Sequence, residues 1–179
     1  MSKAKKITLI AAAVALNIVG SKIALVLNLP IFLDSIGTMF AAIVFGPIAG
    51  ALTALVGGLI NGVLGDVYAI YFSVSGILMG IIAGFLLHGK KLTVPSIIGK
   101  CLVITLPASA LSACIETFLF GGITSAVVTT FIVQALSQTA LKLFGSAFLT
   151  QAVTDYVDKL FAIMLVVASM KKLPDKVRA

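Results

Sequence analysis

The stretch that decides the fold is Leu29-Pro-Ile-Phe-Leu-Asp-Ser-Ile-Gly-Thr38, which continues through Gly46-Pro47 to Asn61-Gly-Val-Leu-Gly-Asp66. It contains two apolar segments, each barely long enough to cross a bilayer, that meet at Gly46-Pro47. Asp34 and Asp66 bracket the pair. If the segments form a transmembrane hairpin, both carboxylates emerge on the same side of the membrane. Paired acids at one mouth of a hairpin indicate that it binds something there.

The composition places the chain among membrane proteins. Of its 179 residues, 60% are hydrophobic and 11% are charged, and the mean hydropathy is +1.21. A soluble domain of this composition would lack the polar residues that normally cover its surface. The sequence therefore predicts one all-α integral membrane domain over residues 1–179, a six-transmembrane-helix bundle.

The apolar segments define six predicted spans, at about residues 7–27, 31–45, 48–64, 69–87, 96–118 and 148–169. The segment at about 125–145 is ambiguous, because polar residues recur along it at spacings of three or four. These residues are Gln134, Ser137, Gln138 and Lys142. We interpret this segment as an amphipathic helix on the outer surface or as an extension of the fifth span, with a seventh span as the alternative.

Charge predicts the orientation. In the six-span arrangement one side carries Lys3, Lys5, Lys6, Lys90, Lys91, Lys100, Lys171, Lys172, Lys176 and Arg178. The positive-inside rule makes this side cytoplasmic, with both termini inside, and predicts a multi-pass membrane protein. The net charge of +7 then reflects topology and does not indicate nucleic-acid binding. The other side carries most of the acids, which favours neutral or cationic ligands.

Catalytic and metal-binding patterns are missing from the sequence. Residues 84–91 imitate a phosphate-binding loop, but Lys91 stands where a Ser or Thr is required. His88, the single histidine, is expected to be a solvated helix end, and Cys101 and Cys114 are expected to be free packing cysteines. We therefore predict no enzymatic activity, no metal and no cofactor in this chain. Uphill transport would need an ion gradient or partner subunits.

Small residues recur every four positions in three of the predicted spans. The ladders are Gly46, Gly50, Ala54, Gly58 and Gly62 in the third span, Gly76, Gly80 and Gly84 in the fourth, and Ala11 and Ala15 in the first. Such ladders allow helix backbones to approach closely in a membrane. For the third and fourth spans we expect packing within the bundle. The Ala11 and Ala15 stripe serves either packing or contact with another subunit.

Several polar residues fall within or near the predicted spans and are candidates for binding a substrate: Asp34, Asn61, Asp66, Tyr68, Tyr71, Glu116, Gln151 and Asp155. Asp155 and Lys159 alternatively form an ion pair one helical turn apart, which leaves Gln151 as the better ligand candidate. Asp34 could instead cap the following helix, as could Ser35. The two tyrosines could anchor at the membrane interface or stack on a flat ligand.

The pattern resembles the substrate-binding S components of energy-coupling factor (ECF) transporters, which are small six-span bacterial proteins. The resemblance is carried by Ala11-Ala-Ala-Val-Ala15, by residues 29–38, and by Gly46-Pro-Ile-Ala-Gly50 running on to Asn61-Gly62. It implies high-affinity capture of a vitamin or nucleobase-like micronutrient at the outer face, followed by toppling in the membrane to release it inside. It implies three partners, a transmembrane coupling subunit docked on Ala11 and Ala15 and two cytoplasmic ATPases that use ATP. It also implies that the loops after the first and third spans gate the site, near Asp34, Asp66 and Tyr71.

The sequence leaves several substrates possible. The chain has no Trp, unlike the tryptophan-lined thiamin-type site, and its acidic mouth argues against folate-like dianions. A pyrimidine or queuosine precursor, cobalamin and pantothenate remain candidates. The alternatives are a stand-alone secondary transporter or channel, driven by protons or sodium through Asp155 and Glu116, and a structural membrane subunit without a ligand.

Overall fold

A computed structural model describes residues 2–170, and these form seven α-helices without any β-strand. The helices are α1 (Lys3–Val26), α2 (Ile36–Phe45), α3 (Pro47–Val63), α4 (Val67–Leu87), α5 (Val94–Phe120), α6 (Val127–Ser137) and α7 (Lys142–Met170). The predicted all-α class is confirmed for this part of the chain. The basic residues 171, 172, 176 and 178, which entered the predicted orientation of the C-terminus, lie outside it.

Three helices, α1, α4 and α5, are each long and apolar enough to cross a membrane. Their lengths and compositions are those of a membrane protein. Helix α7 has 29 residues but carries Asp155, Asp158 and Lys159 in its middle. Helices α2 and α3 are apolar but shorter than a typical span.

Helix α2 is shorter than the predicted span 31–45 and begins only at Ile36. Its ten residues extend about 15 Å, half the thickness of a hydrocarbon core. It is stable at this length because it lies inside the bundle, packed on α1, α3, α4 and α7, with eight of its ten residues buried. Met39 and Ile43 belong to the main core, together with Met79, Ile104 and Ile163 from α4, α5 and α7.

The glycine ladders pack α3 against α4, so the predicted packing within the bundle is present. A Cβ atom added to Gly50 would lie 2.8 Å from the backbone oxygen of Gly80, and one added to Gly84 would overlap the backbone of Pro47. Close backbone approach of this kind requires residues without a side chain. The turn between α2 and α3 depends on Gly46, whose φ of +90° is unfavourable for other residues, and Pro47 begins α3.

The ambiguous segment 125–145 forms a separate short helix. Helix α5 ends at Gly121 and Gly122, whose φ values are +60° and +83°, so α6 is not an extension of the fifth span. The eleven residues of α6 extend about 16 Å, too short to form a seventh span alone. Helix α7 then begins at Lys142, six residues before the predicted start of the last span.

One end of the bundle carries the α1 N-terminus, the α2–α3 turn and the α4 C-terminus. The Lys6 ammonium lies 5.5 Å from the centroid of the Phe45 ring, and Nδ1 of His88 lies 2.8 Å from the carbonyl oxygen of Ile43. His88 is half-buried against the turn, so the prediction of a solvated histidine was wrong. We call this the basic end, because Lys3, Lys5, Lys6, Lys90 and Lys91 all belong to it.

Candidate functional site

A cavity lies at the end of the bundle opposite the basic end. Its empty volume, including the part open to solvent, is about 1130 Å³. Every helix contributes to its lining, as do the loops that follow α1, α3 and α5. Pockets for small molecules commonly enclose about 300–1,000 Å³ and mix apolar walls with a few polar groups. This cavity has that mixed character, since apolar side chains and a few polar ones line it together.

Five of the eight predicted substrate-binding residues line this cavity: Asp34, Asn61, Asp66, Gln151 and Asp155. They come from loops and helices up to 121 positions apart, and the fold brings them to one space. The remaining three, Tyr68, Tyr71 and Glu116, lie outside the lining. Asp34 and Asp66 line the same cavity, which agrees with the expectation that both carboxylates lie at one side of the bundle.

Lys159 is buried at the centre of an acidic cluster. Its Nζ atom lies 2.8 Å from Asp158, 3.0 Å from Asp155 and 3.6 Å from Asp34. The predicted ion pair between Asp155 and Lys159 is therefore present, but it is one of three. Ser109 donates a further hydrogen bond to Asp155 over 2.8 Å. A buried ammonium needs such partners, because removing it from water is otherwise costly.

Asp158 holds the loop between α1 and α2. Its Oδ1 accepts a hydrogen bond from the backbone N–H of Leu33 at 2.9 Å, and its Oδ2 accepts one from the Ser35 hydroxyl at 3.2 Å. Leu33 has a φ of +51°, which a side chain normally disfavours. The loop also passes so close to Gly20 that a Cβ there would overlap the Leu33 carbonyl. Together these contacts fix the loop that carries Asp34 to the cavity.

Helix α2 is capped by a residue of another helix. Oδ1 of Asn17, on α1, accepts hydrogen bonds from the backbone N–H groups of Gly37 at 2.7 Å and Thr38 at 3.3 Å, and its Nδ2 donates to the Thr38 hydroxyl. The side chain of Ser35, which occupies the N-cap position, makes no capping bond. The alternative interpretation, in which Asp34 or Ser35 caps the helix, was therefore wrong. Asp34 instead faces Lys159, and 48% of its side chain is exposed.

Gln151 and Glu116 form a buried pair beside the cavity. Nε2 of Gln151 donates to Oε2 of Glu116 over 2.9 Å, while Oε1 of Glu116 has no hydrogen-bond partner among the described residues. Glu116 is fully buried and lies behind Gln151, which lines the cavity. Gln151 was expected to be free for a ligand, but its amide nitrogen is already engaged.

Tyr68 and Tyr71 pack on the ring of Phe120, the last residue of α5. The ring centroids are 4.7 and 5.2 Å apart, with tilted and edge-on geometry. The aromatic side chains that do line the cavity are Phe32 and Phe72. Any ring that stacks on a ligand in this cavity therefore belongs to the phenylalanines.

Ala11 and Ala15 lie on the exposed face of α1. The residues on the opposite face, including Ala13, Val14 and Asn17, are buried against the rest of the bundle. The alanine stripe therefore does not pack within the part of the chain that the structure describes.

Several cavity residues were not anticipated from the sequence. Ser112 donates to Ser75 across the α4–α5 boundary over 2.9 Å, Asn61 donates to Ser21 over 3.0 Å, and Thr124 and Ser125 enter from the loop before α6. Single serines in apolar helices carry little signal by themselves, since they often bond their own backbone. The signal that could have identified these polar residues is that they fall in the parts of their helices that face the cavity.

Among the described residues, no group of three or more His, Cys, Asp or Glu side chains is arranged to hold a metal ion. Comparison with known proteins adds no assignment: no protein-family profile matches the chain, and no curated protein is significantly similar to it.

Proposed function

We propose that this chain is the substrate-binding S component of an ECF-type importer in a bacterial plasma membrane. In this proposal α1, α2, α3, α4, α5 and α7 are the six membrane segments, both termini are cytoplasmic, and the cavity opens outside. The chain captures a vitamin or nucleobase-like micronutrient. It then topples within the membrane while bound to a coupling subunit and two ATPases.

The observation that carries the proposal is the polarity of the bundle. The cavity described above lies at the end opposite Lys3, Lys5, Lys6, Lys90 and Lys91. Because basic residues face the cytoplasm in most membrane proteins, a cavity at the other end opens to the outside. An outward-opening site closed at the cytoplasmic end suits a capture subunit better than a continuous channel.

The small exposed residues on α1 support the proposed contact with a coupling subunit. Ala11 and Ala15 are exposed and small, so that another helix could approach the α1 backbone closely there. The chain itself offers no recognisable nucleotide-binding sequence, so the energy for release would come from the partner ATPases. ATP is then a cofactor of those subunits and not of this chain.

The proposed capture of a ligand is tested by native mass spectrometry of the full chain purified in mild detergent. We expect a small molecule to co-purify and to be released on denaturation. Ala69→Trp, at a residue that lines the cavity, should abolish this binding, whereas Ala135→Trp, at an exposed position of α6, should retain it. A chain that is empty after growth in several media would contradict the proposal.

A stand-alone ion-coupled transporter is the second candidate, and one observation favours it. Asp155, Lys159 and Glu116 are buried ionisable groups, and Oε1 of Glu116 lacks a partner. Such groups in a membrane protein often belong to ion pathways. In that case the isolated chain would take up its substrate without partners, and uptake would collapse when the proton or sodium gradient is removed.

A further inference from the structure

Two residues that line the cavity, Asn61 and Asp66, each carry a hydrogen-bond acceptor without a donor. Both Oδ1 atoms are shielded from solvent, and neither has a partner among residues 2–170. Asn61 is only 5% exposed. The two residues are adjacent, since the backbone N–H of Asp66 donates to the carbonyl oxygen of Asn61 over 3.0 Å. Buried acceptors are nearly always satisfied, so a pair of open ones beside a cavity indicates a missing donor.

The orientation of the Asn61 amide follows from its neighbour. The Ser21 hydroxyl donates its only proton to the carbonyl oxygen of Ile18 at 2.9 Å, so its oxygen must accept from Asn61. The Asn61 nitrogen therefore faces Ser21, and the amide oxygen is the free atom. A ligand at this position must supply an N–H or O–H group.

The charge around the cavity favours a cation. Asp34, Asp66 and Asp155 line it, and Asp158 lies behind them in contact with the Lys159 ammonium. Lys159 also lines the cavity, but three of these carboxylates already surround its ammonium. Within residues 2–170, Asp66 has no ion-pair partner. An anionic ligand would meet uncompensated carboxylates, whereas a cation would neutralise them.

We propose that the cavity binds a ligand carrying a protonated nitrogen with at least two N–H donors, a primary ammonium or an amidinium, which Asn61 Oδ1 and Asp66 Oδ1 accept. The apolar body of the ligand packs against Phe72, Met79 and Ala69, which line the same cavity. This inference rests on the proposed function, because it assigns the ligand class of the same site.

The test uses matched compounds that differ only in one group. The full chain in mild detergent is titrated with the aminomethyl, hydroxymethyl and carboxyl derivatives of pyrimidine and of benzene, and with the trimethylammoniomethyl analogues, and the thermal unfolding midpoint is recorded. We expect the aminomethyl compounds to stabilise the chain most. The trimethylammonium compounds should stabilise it less, because they carry charge without N–H donors.

Two variants with opposite charge changes identify the contact. Asp66→Asn should weaken aminomethyl binding about tenfold or more, since a hydrogen bond between charged groups is lost. Lys22→Gln is the matched control. The Lys22 ammonium lies 3.5 Å from the carbonyl oxygen of Leu64, close in sequence to Asp66, so its removal should leave the binding of a cation unchanged or tighter.

The outcomes separate this inference from the proposed function. Stabilisation by carboxyl or hydroxymethyl compounds, indifferent to Asp66→Asn, would overturn the cation inference and leave ligand capture intact. A co-purified molecule without a basic nitrogen would do the same. If no compound stabilises the chain and no molecule co-purifies, both the inference and the proposed function are contradicted.

Discussion

The Nζ atom of Lys159 lies 3.0 Å from Oδ1 of Asp155, one helical turn away on α7. Both side chains are buried, at 6% and 9% exposure. Asp158 adds a second close carboxylate and ties the ammonium to the loop before α2. One cation therefore joins α7, the wall of the cavity and the loop that carries Asp34.

Lys159→Met should destabilise the protein by about 3–5 kcal/mol, because it leaves buried carboxylates without their cation. The thermal unfolding midpoint in detergent measures the loss. Combining Lys159→Met with Asp155→Asn and Asp158→Asn should recover much of it, since the amides need no cation. A single variant as stable as the unmodified chain would show that these carboxylates do not depend on Lys159.

Gly50→Ala should destabilise the bundle by about 1–3 kcal/mol through overpacking. The new methyl group would lie 2.8 Å from both the Ala42 Cβ and the Gly80 carbonyl oxygen. Gly99→Ala is the matched control, because a Cβ there meets no atom within 4 Å. It should be neutral or stabilising by about 0.5–1 kcal/mol, as Ala favours the helix over Gly. Equal unfolding midpoints for both variants would contradict the close packing of α3 on α4.

Asn17→Ala should cost about 1–3 kcal/mol, because the backbone N–H groups of Gly37 and Thr38 lose their buried acceptor. Thr38→Val removes only the hydroxyl that Asn17 contacts and leaves the cap in place, so it should cost less. The comparison is made by thermal unfolding of both variants. The reverse order of stabilities would show that α2 does not depend on Asn17 for its cap.

Tyr71→Phe should leave ligand affinity unchanged within about twofold, because this ring packs on Phe120 outside the cavity lining. Phe72→Ala should weaken binding, because it removes apolar surface that faces the ligand. Affinity is measured for the molecule released from the unmodified chain. A tenfold loss in Tyr71→Phe would place the tyrosine hydroxyl at the ligand.

Local patterns in the sequence predicted much of this architecture. The helix bounds of α3, α4 and α5 agree with the predicted spans to within about two residues, the typical precision of such boundaries. The glycine ladder of α3 packs on α4, and Asp155 pairs with Lys159, because spacings of four residues translate directly into one helix face.

Other features depend on contacts between distant segments and could not be predicted in this way. Asn17 caps a helix that begins 19 positions later, and Asp158 binds a loop 125 positions earlier. Neither contact leaves a local pattern. The start of α2 was misplaced for the same reason, since Ile31, Phe32 and Leu33 are as apolar as a helix but are held in a loop by Asp158.

The central claim is that this chain captures a ligand and needs a coupling module to import it. The most direct measurement is the uptake of the labelled co-purifying molecule by cells that express the chain alone, with an ECF coupling module, or with the module and Ala11→Trp or Ala15→Trp. Leu16→Trp is the control, at an exposed position on a different face of α1. We predict uptake only with the module, its loss in the two alanine variants with binding retained, and its persistence in Leu16→Trp. Uptake by the chain alone, indifferent to Ala11→Trp and Ala15→Trp, would contradict the account.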